Sequence, residues 1–265
     1  MSDARIILLH HSTGESIWNG GERTLTSRIV RKLNSLSGLK IPRKSFAQTL
    51  LARHNQQFGT KHQIEAQVFP KPSPYGWHNY PFDYYNIWVK NAGLEPFREE
   101  PTLEILTRKF NVIAFKHCFP VSNIQPDRSP DINADYRSLA NYKLQYLALR
   151  EKFHQFPSTR FIVWTGAAQV ESRTNAEEAK RAREFFGWVT NEWDLPNDNV
   201  FVWDFFQLQT EGELYFQQKL ALSQENSHPN GTFSRSAAAL FLRRVLDVVE
   251  SNGRATSLTG TPAAV

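Results

Sequence analysis

Arg5-Ile6-Ile7-Leu8-Leu9-His10-His11-Ser12-Thr13-Gly14 joins an apolar run directly to small, turn-forming residues. Consecutive strong hydrophobes bounded by polar residues read as a short strand buried on both faces, the kind found in parallel sheets. Comparable runs recur at 64–69, 112–115, 161–164 and 200–203, with helix-period segments between most of them. Strands that alternate with helices predict an α/β chain: a three-layer α/β/α sandwich around a central, mostly parallel sheet of about five strands.

The segments between the runs support that order. Residues 134–155 carry Leu139, Tyr142, Tyr146, Leu149 and Phe153 at three-and-four spacing, which is one apolar helical face. A second helix is predicted to begin near Thr174, whose spacing to Glu177 suits a capping box. Its stripe is Ala182, Phe186, Val189 and Trp193, and Pro196 helps to end it. A last helix over 233–250 turns Ala238, Phe241, Val245 and Val248 or Val249 inward. Residues 1–250 therefore read as one domain, and 251–265, small and polar, as a disordered tail.

The bulk composition narrows the function classes. A chain of 265 residues with 40% hydrophobic content can bury one large core. Its formal charge of +5 is spread among interspersed acids and bases, without the basic runs that would suggest nucleic acid as a partner. The single cysteine, Cys118, rules out an intramolecular disulfide framework and a cysteine-rich zinc site. The N-terminal apolar run is too short for the core of a secretory signal, and no stretch is long enough to span a membrane. These features predict a soluble, cytoplasmic protein; oligomeric state is left open.

Ser12 follows the first strand, where parallel sheets bind their ligands. Thr13 and Gly14 allow a tight turn whose backbone N–H groups can point at a developing oxyanion. His10 and His11 face opposite ways on an extended segment and cannot converge on one metal ion, so one of them is expected to pack beneath the turn. Far down the chain, His228 precedes Pro229 on a predicted loop, and Glu225 stands three residues before it. A serine hydroxyl needs a histidine to take its proton, and the histidine needs a partner to hold its tautomer. Glu225 is the expected partner, with Asp204 as its rival.

These residues resemble the SGNH/GDSL hydrolase superfamily, which has a nucleophilic serine after the first strand and an acid-x-x-His-Pro-Asn element before the last helix. The resemblance implies ester hydrolysis through an acyl-enzyme without a cofactor or metal, with Ser12 as nucleophile, His228 as general base and then acid, and Glu225 as orienter. The chain departs from the family at His10-His11-Ser12-Thr13, where Gly-Asp-Ser-Leu is usual. It also lacks the Gly-x-Asn-Asp block that supplies a side-chain donor to the oxyanion hole. Ser12 and Gly76 are the backbone candidates for that hole, and His117 and Asn123 the side-chain candidates.

The proline-rich stretch 69–101 interleaves aromatic and polar residues. Trp77, Tyr80, Tyr84 and Tyr85 are its candidates for binding a small acyl or carbohydrate ester, and packing of the segment by its own aromatics is the competing reading. Cys118 is read as a buried structural thiol. Two alternatives to a hydrolase stay open: an O-acyltransferase on the same fold, and a noncatalytic binding module.

Overall fold

The computed structural model describes residues 3–21, 44–76 and 78–263. Trp77 lies outside the described residues. Five strands, β1 (Arg5–His10), β2 (Gln63–Val68), β3 (Val112–Phe115), β4 (Arg160–Trp164) and β5 (Val200–Trp203), form one parallel sheet in the order β2-β1-β3-β4-β5. Every residue of β3 and β5 is buried, and β1 is buried after Arg5, as expected of strands covered on both faces.

Among the described residues, eight α-helices accompany the sheet: α1 (Ser12–Trp18), α2 (Phe46–Phe58), α3 (Pro81–Tyr85), α4 (Leu103–Leu106), α5 (Leu139–His154), α6 (Ala176–Trp188), α7 (Phe205–Thr210) and α8 (Gly231–Ser251). The two layers are visible in β4. Phe161 stacks on Phe153 of α5 with ring centroids 4.3 Å apart, whereas Trp164 meets Phe241 of α8 at 4.5 Å. Residues three apart on a strand point to opposite faces, so α5 and α8 cover opposite sides. No helix among the described residues is long and apolar enough to cross a membrane.

Local chemistry moves several predicted boundaries. The helix expected from residue 134 starts at Leu139, capped by Ser138, whose side chain accepts from Asn141 N. The helix expected from Thr174 starts at Ala176, because the side chain of Asn175 accepts from Glu178 N and is the actual cap. α8 begins two residues early for the same reason, with Asn230 as cap. His228, expected on a loop, lies on β7 (Asn226–Pro229), which pairs antiparallel with β6 (Ala221–Ser223).

Residues 252–263 of the expected disordered tail are seated on the domain. Arg244 Nη1 donates to Gly253 O at 2.9 Å, Thr256 N donates to Asp247, and Asp204 N donates to Leu258 O at 2.8 Å. Polar residues with no apolar pattern are held here through hydrogen bonds, which hydrophobic periodicity does not report.

Candidate active site

In the order β2-β1-β3-β4-β5 the chain leaves β1 toward one edge and returns to continue on the other side. The switch point therefore lies between β1 and β3, where crevices form beyond the strand ends. Ser12 follows β1 and Cys118 follows β3. The two meet across this gap, with Ser12 Oγ 3.6 Å from Cys118 Sγ and both side chains half-buried. Cys118 is thus a neighbour of the serine, which corrects its reading as a buried structural thiol.

The Ser12 turn is built tightly. Ser12 is the first residue of α1, so its N–H lies among those that have no partner within the helix. A Cβ at Gly14 would come within 2.5 Å of His10 Cβ and 2.9 Å of Lys116 Cδ, so only glycine lets the helix approach this closely. His10 does pack beneath the turn. Its Nδ1–H donates to His11 O, and His11 Nε2–H donates to Pro70 O at 2.8 Å. Burial lowers both imidazoles to about 4, leaving them neutral at ordinary pH.

His228 arrives from β7, which packs against α1. Its Nδ1 lies 2.7 Å from Asn226 Oδ1, and the same oxygen accepts the His228 backbone N–H at 3.0 Å. A backbone N–H requires an acceptor, so the amide orientation is determined and Nδ1 carries the proton. In the neutral ring Nε2 is then the basic nitrogen. Phe119 meets this ring edge to face, centroids 5.3 Å apart, on the residue directly after Cys118.

The partner on Nδ1 is therefore Asn226, which the sequence reading missed, and not Glu225. Glu225 is exposed at the β6–β7 turn. Asp204 is committed elsewhere, capping α7 through Gln207 N at 3.1 Å and accepting from Thr165 Oγ1 at 2.8 Å. A two-residue separation that bonds ring and backbone to one amide is an Asx-type turn, and the Asn-x-His spacing was its only sequence signal.

Most oxyanion candidates are also committed. Gly76 donates its N–H to Lys71 O at 3.1 Å. His117 is fully buried with Nε2 2.7 Å from Tyr146 Oη, and burial depresses its pKa to about 3. The Asn123 carboxamide oxygen accepts from Gln169 Nε2, in a groove alongside Phe119 and Pro120. The Ser12 N–H is the candidate that the helix itself leaves without an internal partner.

The aromatic stretch divides. Tyr84 is fully buried against Phe115, with its hydroxyl donating to Lys116 O, and Tyr85 is also buried, so both belong to packing. Tyr80 is half-buried and lines a cavity of about 490 Å³ with Tyr75, Phe82, Asp83, Arg98 and Arg137. Arg137 joins this cavity to the Cys118 loop, lying over the Tyr80 ring and donating to Pro120 O at 3.1 Å. Asp83, in its lining, is raised to about 6 by burial.

Sequence reasoning also passed over Lys116. It is 1% exposed, and among the described residues its Nζ has no hydrogen-bond partner. Burial draws its pKa down to about 8, opposed by the nearby Cys118.

One cluster among the described residues, His54, His62 and Glu250, has the composition of a metal site. His62 Nδ1 accepts the Ala4 N–H at 2.9 Å, so Nε2 carries the proton and faces Glu250 Oε1 at 3.4 Å. That tautomer offers no lone pair to an ion, and the cluster is a hydrogen-bonded clasp that joins α2, α8 and the residue before β2. No family model, curated protein or solved structure matches this chain.

Proposed function

We propose that this protein is a serine hydrolase that cleaves a carboxylic ester, of a small acyl group or a carbohydrate, through an acyl-enzyme on Ser12. The observation that carries the reading is the Asn226–His228 pair. It leaves Nε2 as the basic nitrogen on a strand packed against the helix that Ser12 begins.

In this mechanism His228 Nε2 takes the Ser12 proton as Oγ attacks the ester carbonyl carbon. The carbonyl π pair moves onto oxygen, beside the Ser12 N–H. Collapse breaks the bond to the alkoxy group, which leaves with the proton from Nε2. Water then repeats the sequence on the acyl-enzyme and releases the acid. The cavity beside Tyr80 would hold the acyl or sugar portion. Replacing water by a hydroxyl acceptor makes the same site an O-acyltransferase.

A second reading has its own observation. Cys118 Sγ shares the position of Ser12 Oγ within 3.6 Å, and the next residue rests on His228, so a thiol nucleophile is the competitor. Fluorophosphonate labelling with peptide mass spectrometry tests both. An adduct on Ser12 that disappears in His228→Ala supports the hydrolase. An adduct on Cys118 transfers the role to the thiol, and a folded protein labelled at neither position supports a noncatalytic binding module.

A further inference from the structure

Lys116 is the first residue beyond β3, and its backbone is tied on both sides. Its N–H donates to Leu9 O at 3.3 Å, and its carbonyl accepts from the Tyr84 hydroxyl at 2.9 Å. The side chain runs beneath the Ser12 turn, with Cδ filling the space that a Cβ on Gly14 would need. Two-residue alternation along an extended segment puts Lys116 and Cys118 on the same side, and Cys118 is the residue that meets Ser12.

Among the described residues the ammonium has no acidic partner. From the end of β1 and the turn after it, the ammonium faces His10 and His11, both neutral; from its own segment it faces the neutral His117 and the Cys118 thiol. Glu15, the acid carried by α1, is exposed to solvent. Among the described residues no acceptor lies within hydrogen-bond distance of Nζ. A buried charge left alone is strongly disfavoured, and an apolar side chain of the same length would hold this position more stably.

We propose that Lys116 is a positioning residue of the Ser12 site, its buried ammonium supplying from beneath the turn the counter-charge for the negative charge formed during acyl transfer. The inference rests on the serine-hydrolase reading. Each attack on a carbonyl creates an anion beside Ser12, and a fixed charge in a water-poor site stabilises that state more than the neutral ester. Nζ keeps its proton throughout and no bond to it changes. A group with pKa near 8 still carries its charge at neutral pH and loses it in mild alkali.

The test is the rate of fluorophosphonate labelling at Ser12 from pH 6 to pH 10 in the full-length protein. The wild-type rate is expected to fall as pH rises through about 8. Lys116→Met should label at least about tenfold more slowly at neutral pH and lose that alkaline fall, while its urea midpoint rises. Cys118→Ala should retain the fall. A Lys116→Met protein that labels with the wild-type rate and profile overturns the proposal and leaves the Ser12 assignment intact, as does a fall that disappears with the thiol. Folded wild-type protein with no Ser12 adduct at any pH overturns both readings. If Lys116→Met does not fold, the wild-type profile decides: a rate that does not fall in alkali overturns the proposal.

Discussion

Two buried cations in this molecule are treated in opposite ways. Arg244, on α8, donates to Val202 O, to Asp247 Oδ2 at 3.1 Å and to Gly253 O at 2.9 Å. Asp247 in turn accepts from the backbone of Ala255 and Thr256. The Lys116 ammonium, just beyond β3, has none of this among the described residues. A charge that serves the fold is surrounded by partners, because an unsatisfied buried ion costs several kcal/mol. A charge without partners therefore marks a place where stability has been given up, and here that place adjoins Ser12.

The comparison breaks most visibly at Asp247. Asp247→Ala removes the carboxylate that pairs with the buried Arg244, and urea unfolding should show a loss of about 3–5 kcal/mol. Lys116→Met should move the other way, raising stability at pH 7 by roughly 3 kcal/mol while slowing labelling of Ser12. The sign follows from proton binding. A folded-state pKa below the unfolded one means that the folded chain loses the proton first, so between about 8 and 10.5 wild-type stability rises with pH. The advantage of the methionine variant should accordingly shrink over that window; a constant advantage would remove Lys116 ionisation as its cause.

A smaller effect separates the orienting groups. Asn226→Ala removes the acceptor on Nδ1 and should slow Ser12 labelling about tenfold, a loss of about 1.4 kcal/mol in the barrier term. The least effect belongs to Glu225→Ala, which should alter labelling less than about twofold and stability by less than about 0.5 kcal/mol, as for surface positions generally. Equal losses at 225 and 226 would return the orienting role to the carboxylate.

The sheet was legible because runs such as Ile6 to Leu9 and Val112 to Phe115 are buried on both faces, and that burial writes itself as consecutive hydrophobes. The helix stripes were legible for the same reason, since Tyr142, Tyr146, Leu149 and Phe153 all point into the core. Ser12 could be singled out because its place after β1 follows from strand order alone.

Polar geometry was less accessible. Glu225 and Asn226 are both reasonable partners for His228 until a two-residue turn commits Nδ1 to the amide. Tyr84 and Tyr80 look alike in a string, yet one hydroxyl closes a backbone bond in the core and the other ring lines a cavity. Lys116 gave no warning, because a lysine beyond a strand normally turns outward to water. Only the approach of Gly14 shows that the route outward is closed.

The seating of residues 252–263 has a consequence for how copies of the molecule meet. β5 ends the sheet, and an outermost strand offers its free backbone groups to any other strand. Here the Val202 carbonyl is taken by Arg244 and the Asp204 N–H by Leu258 O, while Thr259 O receives the Trp203 indole. The closing segment and the guanidinium it surrounds thus act as a guard against edge-to-edge self-association. Ending the chain at Ser251 would strip that guard and turn β5 into an adhesive margin.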